Sequence, residues 1–259
     1  MKKDLPQSTL TAETVFKKLI PRNQSEFQFK ETTISSMAKI IHKAKPSKSR
    51  GNDEVNMYTL IEIPQLMSIC LTHLWNSMVR KGVFPQSLKT SRVIPILKPG
   101  KNASELKKFR PINTMNAIDK LLEELMKSQL TEFIEDKCIL DNNMHGSRKG
   151  FSIVTAKLSM DEIINKHRES GNKVAVINTD LSAAYDTVCH SLLLSKLDHI
   201  GIRGRSLKFM TNFLNQRKFY TECQGFFSKL YNMPDYSVVQ GSKMSSLLYD
   251  LFTIDGTRG

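Results

Sequence analysis

Apolar residues recur every three or four positions along several stretches of the chain, which is the spacing of an amphipathic helix. Residues 60–79 form one such stretch, and a second passes through residues 121–130. A third covers residues 154–167, where the spacing places Leu158 and Ile163 on an inward face. The pattern therefore predicts three long helices that each turn one face to a hydrophobic core.

Shorter apolar runs rich in β-branched residues predict strands. Residues 91–97 form one such run, and residues 217–224 and 226–233 predict a hairpin. Residues 174–177 predict a buried strand with Asp180 at its carboxyl end. The carboxyl end of a strand is a common place for catalytic side chains, although an Asp there also serves simply to end a strand or cap a helix.

The charge of the protein favours a polyanionic partner. Its 259 residues have a formal net charge of +13, which favours nucleic acid over a membrane and leaves open an ordinary soluble basic protein. The four cysteines are far apart, which argues against a zinc site or a disulfide framework and is typical of a reducing compartment. No run of about 18 apolar residues occurs, so we expect an intracellular protein of the cytoplasm or nucleus, neither secreted nor membrane-bound.

The segment after the predicted strand, Asp-Leu-Ser-Ala-Ala-Tyr-Asp-Thr-Val at residues 180–188, resembles motif A of reverse transcriptases of non-LTR (LINE and jockey-like) retrotransposons. Residues 237–252 resemble motif B of the same enzymes, with Val239 where the family has Pro. Further segments resemble the fingers region in the same order, and one resembles the template-side segment more loosely: residues 82–85, 93–100, 109–112 and, loosely, 144–156. Several motifs in one order are more specific than any single motif.

The resemblance implies two-metal nucleotidyl transfer. Asp180 would be the catalytic acid and a ligand of both Mg²⁺ ions, and the backbone carbonyl of Leu181 would be a further metal ligand. Such an ion pair relieves the negative charge that develops as the bond forms, and Mg²⁺ prefers hard oxygen ligands.

The resemblance also implies a nucleotide-binding set. Arg110 and Lys98 would contact the triphosphate, because a guanidinium holds phosphate oxygens through paired hydrogen bonds and Lys adds a mobile charge. Tyr185 would lie under the sugar and exclude a 2′-hydroxyl. Gln240 and Gly241 match the motif B loop, where glycine lets the backbone approach a nucleotide or template closely.

The fold implied by the resemblance is an α+β right-hand polymerase, with helical fingers and an incomplete antiparallel palm sheet packed on helices. We expect a basic N-terminal extension or linker at residues 1–50, fingers at residues 51–170 and palm at residues 171–259. The partners would be an RNA template, a DNA primer, deoxynucleoside triphosphates and the remaining segments of a retrotransposon polyprotein.

The second acidic motif of the family, an aromatic-Ala-Asp-Asp hairpin, and the thumb are not found after motif B. We therefore expect an RNA-directed DNA polymerase domain that is truncated and inactive by itself. The alternative is a non-catalytic remnant that binds RNA or an RNA–DNA hybrid.

Overall fold

The computed structural model of the protein describes residues 8–100, 102, 104–105 and 108–257. Helices and strands are mixed along the chain, so the fold is of the α+β class, as predicted. The helices are α1 (Ser8–Leu19), α2 (Ile34–Lys43), α3 (Met57–Glu62), α4 (Pro64–Lys81), α5 (Ala117–Asp136), α6 (Ile153–Glu169), α7 (His190–His199), α8 (Gly204–Leu214) and α9 (Ser245–Phe252). The strands are β1 (Thr90–Leu97), β2 (Phe109–Thr114), β3 (Lys218–Cys223), β4 (Phe226–Phe227) and β5 (Tyr231–Asn232). Short 3₁₀ turns span Gln86–Leu88, Ala184–Thr187 and Ile254–Thr257.

Helix α5 is buried along most of its length and packs in one continuous hydrophobic core. Besides Leu121 and Met126 of α5, that core takes in side chains from the N-terminal third and from the last third of the chain, among them Phe16, Met37, Ile41, Trp75, Leu197, Phe209 and Leu251. Residues on both sides of positions 50 and 170 thus share one core. The predicted domain boundaries there stay predictions, and their outer ends, residues 1–7 and 258–259, lie outside the described residues.

The predicted helix over residues 60–79 is divided at Ile63, where α3 ends and α4 begins. Pro64 occupies the first turn of α4, a position where its missing N–H leaves no helical hydrogen bond unmade. At the other end Gly82 adopts the left-handed conformation with φ +65° and donates its N–H to the carbonyl of Met78. Helix α4 therefore has the start and stop signals that its sequence contains.

The sheet has the order β2-β1-β3-β4, with β5 also paired to β3. Strands β1 and β2 are antiparallel, with Ile96 opposite Arg110, whereas β1 and β3 are parallel, with Thr90 opposite Lys218. The sheet as a whole is thus mixed, whereas the pairs inside the predicted palm, β3 with β4 and β3 with β5, are antiparallel. The physical reason for the parallel pair is connectivity, because β3 follows four intervening helices, α5 to α8, and returns beside β1 in the same direction.

The predicted buried strand at residues 174–177 is not formed. Residues 172–181 have no regular secondary structure, and Ile177 is 87% exposed while Val176 is 50% exposed. An isolated extended segment leaves its backbone N–H and C=O groups unpaired, and no described strand lies beside this one. Residues 174–177 are apolar, but the described residues provide no neighbouring strand with which they could pair.

Helix α6 forms as predicted, but its predicted inward face is wrong. The hydroxyls of Ser152 and Thr155 and the backbone amides of both residues form a capping box at its start. None of its described side chains is buried, and both Leu158 and Ile163 are more than half exposed. The helix and the segment after it, residues 153–181, are therefore mostly exposed and contribute no side chain to the hydrophobic core of the described residues.

None of the described helices combines the length and the apolar content of a membrane span.

Candidate functional site

Three main-chain hydrogen bonds join the segments that the sequence singled out. The N–H of Asn113 in β2 donates to the carbonyl of Gln240 at 3.0 Å. The N–H of Val238 donates to the carbonyl of Tyr185 at 2.9 Å, and the N–H of Ser237 donates to the carbonyl of Val188 at 2.8 Å. The structure thus brings residues 237–241 between strand β2 on one side and the 3₁₀ turn Ala184–Thr187 on the other.

Gly241 packs directly against strand β2. Its φ is +115°, and a Cβ added there would lie 2.5 Å from the carbonyl oxygen of Asn113. Real Cβ atoms do not approach backbone oxygen so closely, so only glycine fits between this loop and the strand. The close backbone approach predicted for this loop is therefore made to β2 of the protein itself.

The β1–β2 hairpin presents two of the predicted phosphate-binding side chains. Arg110 is exposed and lies opposite Ile96, and Lys98 follows two residues after Ile96. Side chains of paired residues and of residues two apart project from the same face, so Arg110 and Lys98 share one face of the hairpin. The N–H of Lys98 donates to the carbonyl of Lys108 at 2.9 Å and closes the hairpin beyond the strand ends.

The aromatic side chain of Tyr185 is held by helix α9. Its ring meets that of Tyr249 edge to face, with 5.4 Å between the ring centroids. Burial, together with the neighbouring Asp250, raises the pKa of the Tyr185 hydroxyl. The ring is thus fixed from the side of α9.

Asp250 is a partly buried carboxyl group in this neighbourhood. Its Oδ2 is buried without a hydrogen-bond partner, and its Oδ1 lies 3.6 Å from where a Cβ on Gly146 would be. Burial raises the pKa of Asp250 to about 7, although the cations of Lys127 and Arg148 act in the opposite direction. Asp250 is therefore a group that changes its charge near neutral pH.

Asp180 and Leu181, the predicted metal ligands, lie in the exposed irregular segment. No group of three or more His, Cys, Asp or Glu side chains suited to a metal ion occurs among the described residues. A single exposed carboxylate binds Mg²⁺ weakly, since Mg²⁺ gives up its waters reluctantly. The described residues alone therefore do not fit the two-ion cage that the resemblance implies.

Comparison with known proteins identifies the chain. A model of the family "Reverse transcriptase (RNA-dependent DNA polymerase)" matches residues 96–257. The chain belongs to the reverse transcriptase family. It is 26% identical over 232 residues to a probable RNA-directed DNA polymerase from transposon BS of Drosophila melanogaster, covering 90% of this chain and 25% of that protein. It is also 26% identical over 226 residues to the RNA-directed DNA polymerase from mobile element jockey of Drosophila funebris, covering 86% of this chain and 24% of that protein.

A Pol polyprotein of the type-1 retrotransposable element R2 of Popillia japonica is 26% identical over 111 residues, covering 41% of this chain and 14% of that protein. The predicted resemblance to non-LTR reverse transcriptases is confirmed by these relatives. The chain spans about a quarter of the length of the BS and jockey proteins that it matches.

The reverse transcriptase domain contains a buried acidic pair that the sequence reasoning missed. Asp119 and Glu123 lie one turn apart on α5, and neither is exposed to solvent. Burial raises the pKa of both carboxyl groups, and the guanidinium of Arg217 lies 3.5 Å from Asp119. The signal was available, because both acids continue the helical spacing of the buried residues Met126 and Leu130.

Arg148, which the loose template-side resemblance included, has internal partners in the reverse transcriptase domain. Its guanidinium pairs with Glu135 at 2.8 Å and donates to the carbonyl of Asp141 at 2.7 Å. The same group lies over the ring of Phe151, 4.2 Å from the ring centroid. Its side chain thus holds the loop before α6 in place.

Proposed function

We propose that the chain forms the fingers and part of the palm of a right-hand RNA-directed DNA polymerase of a non-LTR retrotransposon. The observation that supports this most directly is the junction of the three segments, in which residues 237–241 lie between the strand of Arg110 and the turn of Tyr185. A nucleotide that contacts all three segments would be held at its phosphates by the strand of Arg110, at its sugar by the turn of Tyr185, and next to its base by residues 237–241. Fingers at residues 51–170 and palm at residues 171–259 remain the proposed division.

In this proposal each segment holds one part of an incoming deoxynucleoside triphosphate. Arg110 and Lys98, on one face of the hairpin, bind the phosphate oxygens. The Tyr185 ring, held against α9, forms the wall that excludes a 2′-hydroxyl. Gln240 and Gly241 border the site from the loop. Such binding aligns the triphosphate for attack by a primer hydroxyl, which is where positioning contributes most to this chemistry.

Reverse transcriptases as a family use divalent metal ions, and we propose Mg²⁺ with Asp180 and the Leu181 carbonyl among its ligands. Since the described residues do not complete a metal cage, the steps assigned to this chain are binding and orientation of the nucleotide. The proposed partners are an RNA template, a DNA primer and the other segments of a retrotransposon polyprotein. The proposed location is the cytoplasm or nucleus.

The test is nucleotide binding by the purified chain with a primer–template present. Arg110→Ala should weaken binding of a fluorescent deoxynucleoside triphosphate by about tenfold or more, because a charged hydrogen-bonding partner of the phosphates is lost. Arg80→Ala is the matched control. Arg80 is an exposed arginine of helix α4 that pairs with Glu31 at 3.0 Å. Equal triphosphate affinity in wild type and Arg110→Ala would contradict the proposal.

A second function is a non-catalytic module that binds RNA or an RNA–DNA hybrid, and it is favoured by the net charge of +13 and by the single acidic candidate in motif A. Binding would then fall steeply with salt, with a slope of about −0.7 per phosphate contacted on single strands. Triphosphate binding by the purified chain separates the two functions, because only the first requires a deoxynucleoside triphosphate to bind at Arg110. The prediction that the chain is inactive alone fails if it extends a primer.

A further inference from the structure

Glu123 points its carboxylate at the loop that follows Gly241. Its two oxygens each lie 2.9 Å from the hydroxyl of Ser242, and its Oε2 accepts the backbone N–H of Lys243 at 2.7 Å. The backbone N–H of Met244 donates to the hydroxyl oxygen of Ser242 at 3.1 Å. The carboxylate on helix α5 thus binds Ser242 and Lys243 directly, and Met244 is linked to it through Ser242.

These donors favour the ionised form of Glu123, although the group is fully buried. An ionised carboxylate only accepts hydrogen bonds, and the Ser242 hydroxyl and the Lys243 N–H that face it are donors. Asp119 is placed differently, because its Oδ1 is buried without a partner and burial and the neighbouring Glu123 raise its pKa well above the ordinary value. Burial thus raises the pKa of both carboxyl groups, and Glu123 differs from Asp119 in the hydrogen bonds that act against that rise.

The backbone N–H groups just before helix α9 require hydrogen-bond acceptors from outside that helix. Helix α9 begins at Ser245, so the N–H groups of residues 242 and 243 lie before the helix and need acceptors outside it. The N–H of Ser242 finds the carbonyl of Val239 at 3.0 Å, whereas the described partner of the Lys243 N–H is Glu123. A negative charge also interacts favourably with the start of a helix.

We propose that Glu123 is a positioning residue of the nucleotide site: through residues 242–244 it holds Gln240 and Gly241 against Asn113, on the strand of Arg110. This inference rests on the proposed nucleotide site for its functional part, but its structural part stands alone. An apolar side chain of similar volume would fill the same space on α5 and leave the Lys243 amide unpaired. The loop would then lose its fixed distance to strand β2.

The structural part is tested by hydrogen–deuterium exchange in Glu123→Gln, followed by mass spectrometry. Gln keeps one acceptor oxygen, but its NH₂ group cannot accept from Ser242 or Lys243. We expect the amides of residues 240–245 to exchange about tenfold faster or more, as loss of a charged hydrogen bond predicts. Glu124→Gln is the matched control, because it removes the adjacent carboxylate, which pairs with Lys243 Nζ at 2.7 Å on the surface.

Ser242→Ala provides a second variant if Glu123→Gln does not fold, because it removes one donor and leaves the carboxylate in place. It should increase exchange in the same residues by a smaller factor. Unchanged exchange in a folded Glu123→Gln variant, or an increase spread equally over α5 and α9, would overturn the proposal.

The functional part is tested by triphosphate binding. The comparison uses folded variants whose urea unfolding midpoint equals that of the wild type. Glu123→Gln should weaken triphosphate binding, and Glu124→Gln should leave it unchanged. If the wild type itself does not bind triphosphate, the proposed nucleotide site fails, and the exchange data still decide whether Glu123 holds the loop. Wild-type binding with an unaltered affinity in Glu123→Gln would refute the positioning role.

Discussion

Replacement of Asp250 by Asn should stabilise the protein at alkaline pH. The folded protein holds the pKa of Asp250 at about 7, against an ordinary value of 3.8. Between these two values the unfolded chain has released the proton and the folded chain has kept it, so the free energy of unfolding falls as the pH rises. The full shift corresponds to about 4 kcal/mol, and because the side chain is partly exposed, solvent screening reduces this to about 1–2 kcal/mol.

The assay is urea unfolding of wild type and Asp250→Asn at several pH values from 4 to 9, followed by circular dichroism. Asn resembles the protonated acid in shape and cannot ionise, so the two proteins should have similar free energies of unfolding near pH 4. The variant should become more stable as the pH rises and keep a constant advantage above about pH 8. Asp235→Asn is the control, because it removes a carboxylate from an exposed position. A difference that does not vary with pH would refute the reasoning.

Three further changes test the packing. Gly241→Ala should lower the free energy of unfolding by about 2–4 kcal/mol, because its Cβ would meet the carbonyl of Asn113 at 2.5 Å. Gly225→Ala is the control, since the space around Gly225 is open, and it should lower the free energy of unfolding by about 1 kcal/mol. Equal urea midpoints of the two variants would contradict this prediction. Leu121→Ala should cost about 2–5 kcal/mol in the same assay, since the side chain is fully buried, and a loss under 1 kcal/mol would mean that the core is loose there. Ile177→Lys should leave stability within about 0.5 kcal/mol of wild type and reduce self-association in light scattering, and a large loss of stability would mean that Ile177 is buried in solution.

The sequence pattern predicted most of the helices because each has an apolar stripe that its neighbours cover. Helix α5 and strand β1 follow their hydrophobic spacing closely, and α4 starts and stops at its Pro and Gly. The spacing of α6 and the β-branched run at residues 174–177 are equally regular, but they remain exposed. The local sequence pattern indicates which face of an element is apolar. Burial of that face also requires a partner surface elsewhere in the chain.

The candidate site, like the fold, was predicted only in part from the sequence. The glycine of the loop that packs against strand β2 was found because a close backbone approach requires that residue type. Glu123 was not found, because an acid on a helix is usually a solvated side chain, and its partners are a hydroxyl and an amide more than a hundred residues later. The ordering of Arg110, Tyr185 and Gln240 around one junction is a tertiary property that no local spacing contains.

The parallel pairing of β1 with β3 determines when the sheet can assemble during synthesis. Residues 90–93 leave the ribosome long before residues 218–221, so the nascent chain can form the β1–β2 hairpin but not the other side of β1. Pairings between distant residues fold slowly, because a long loop must close first. Until β3 arrives, one edge of β1 offers unpaired backbone groups to any other nascent chain. Translational pausing between residues 114 and 218 should therefore lower the yield of correctly folded protein more than pausing after residue 223.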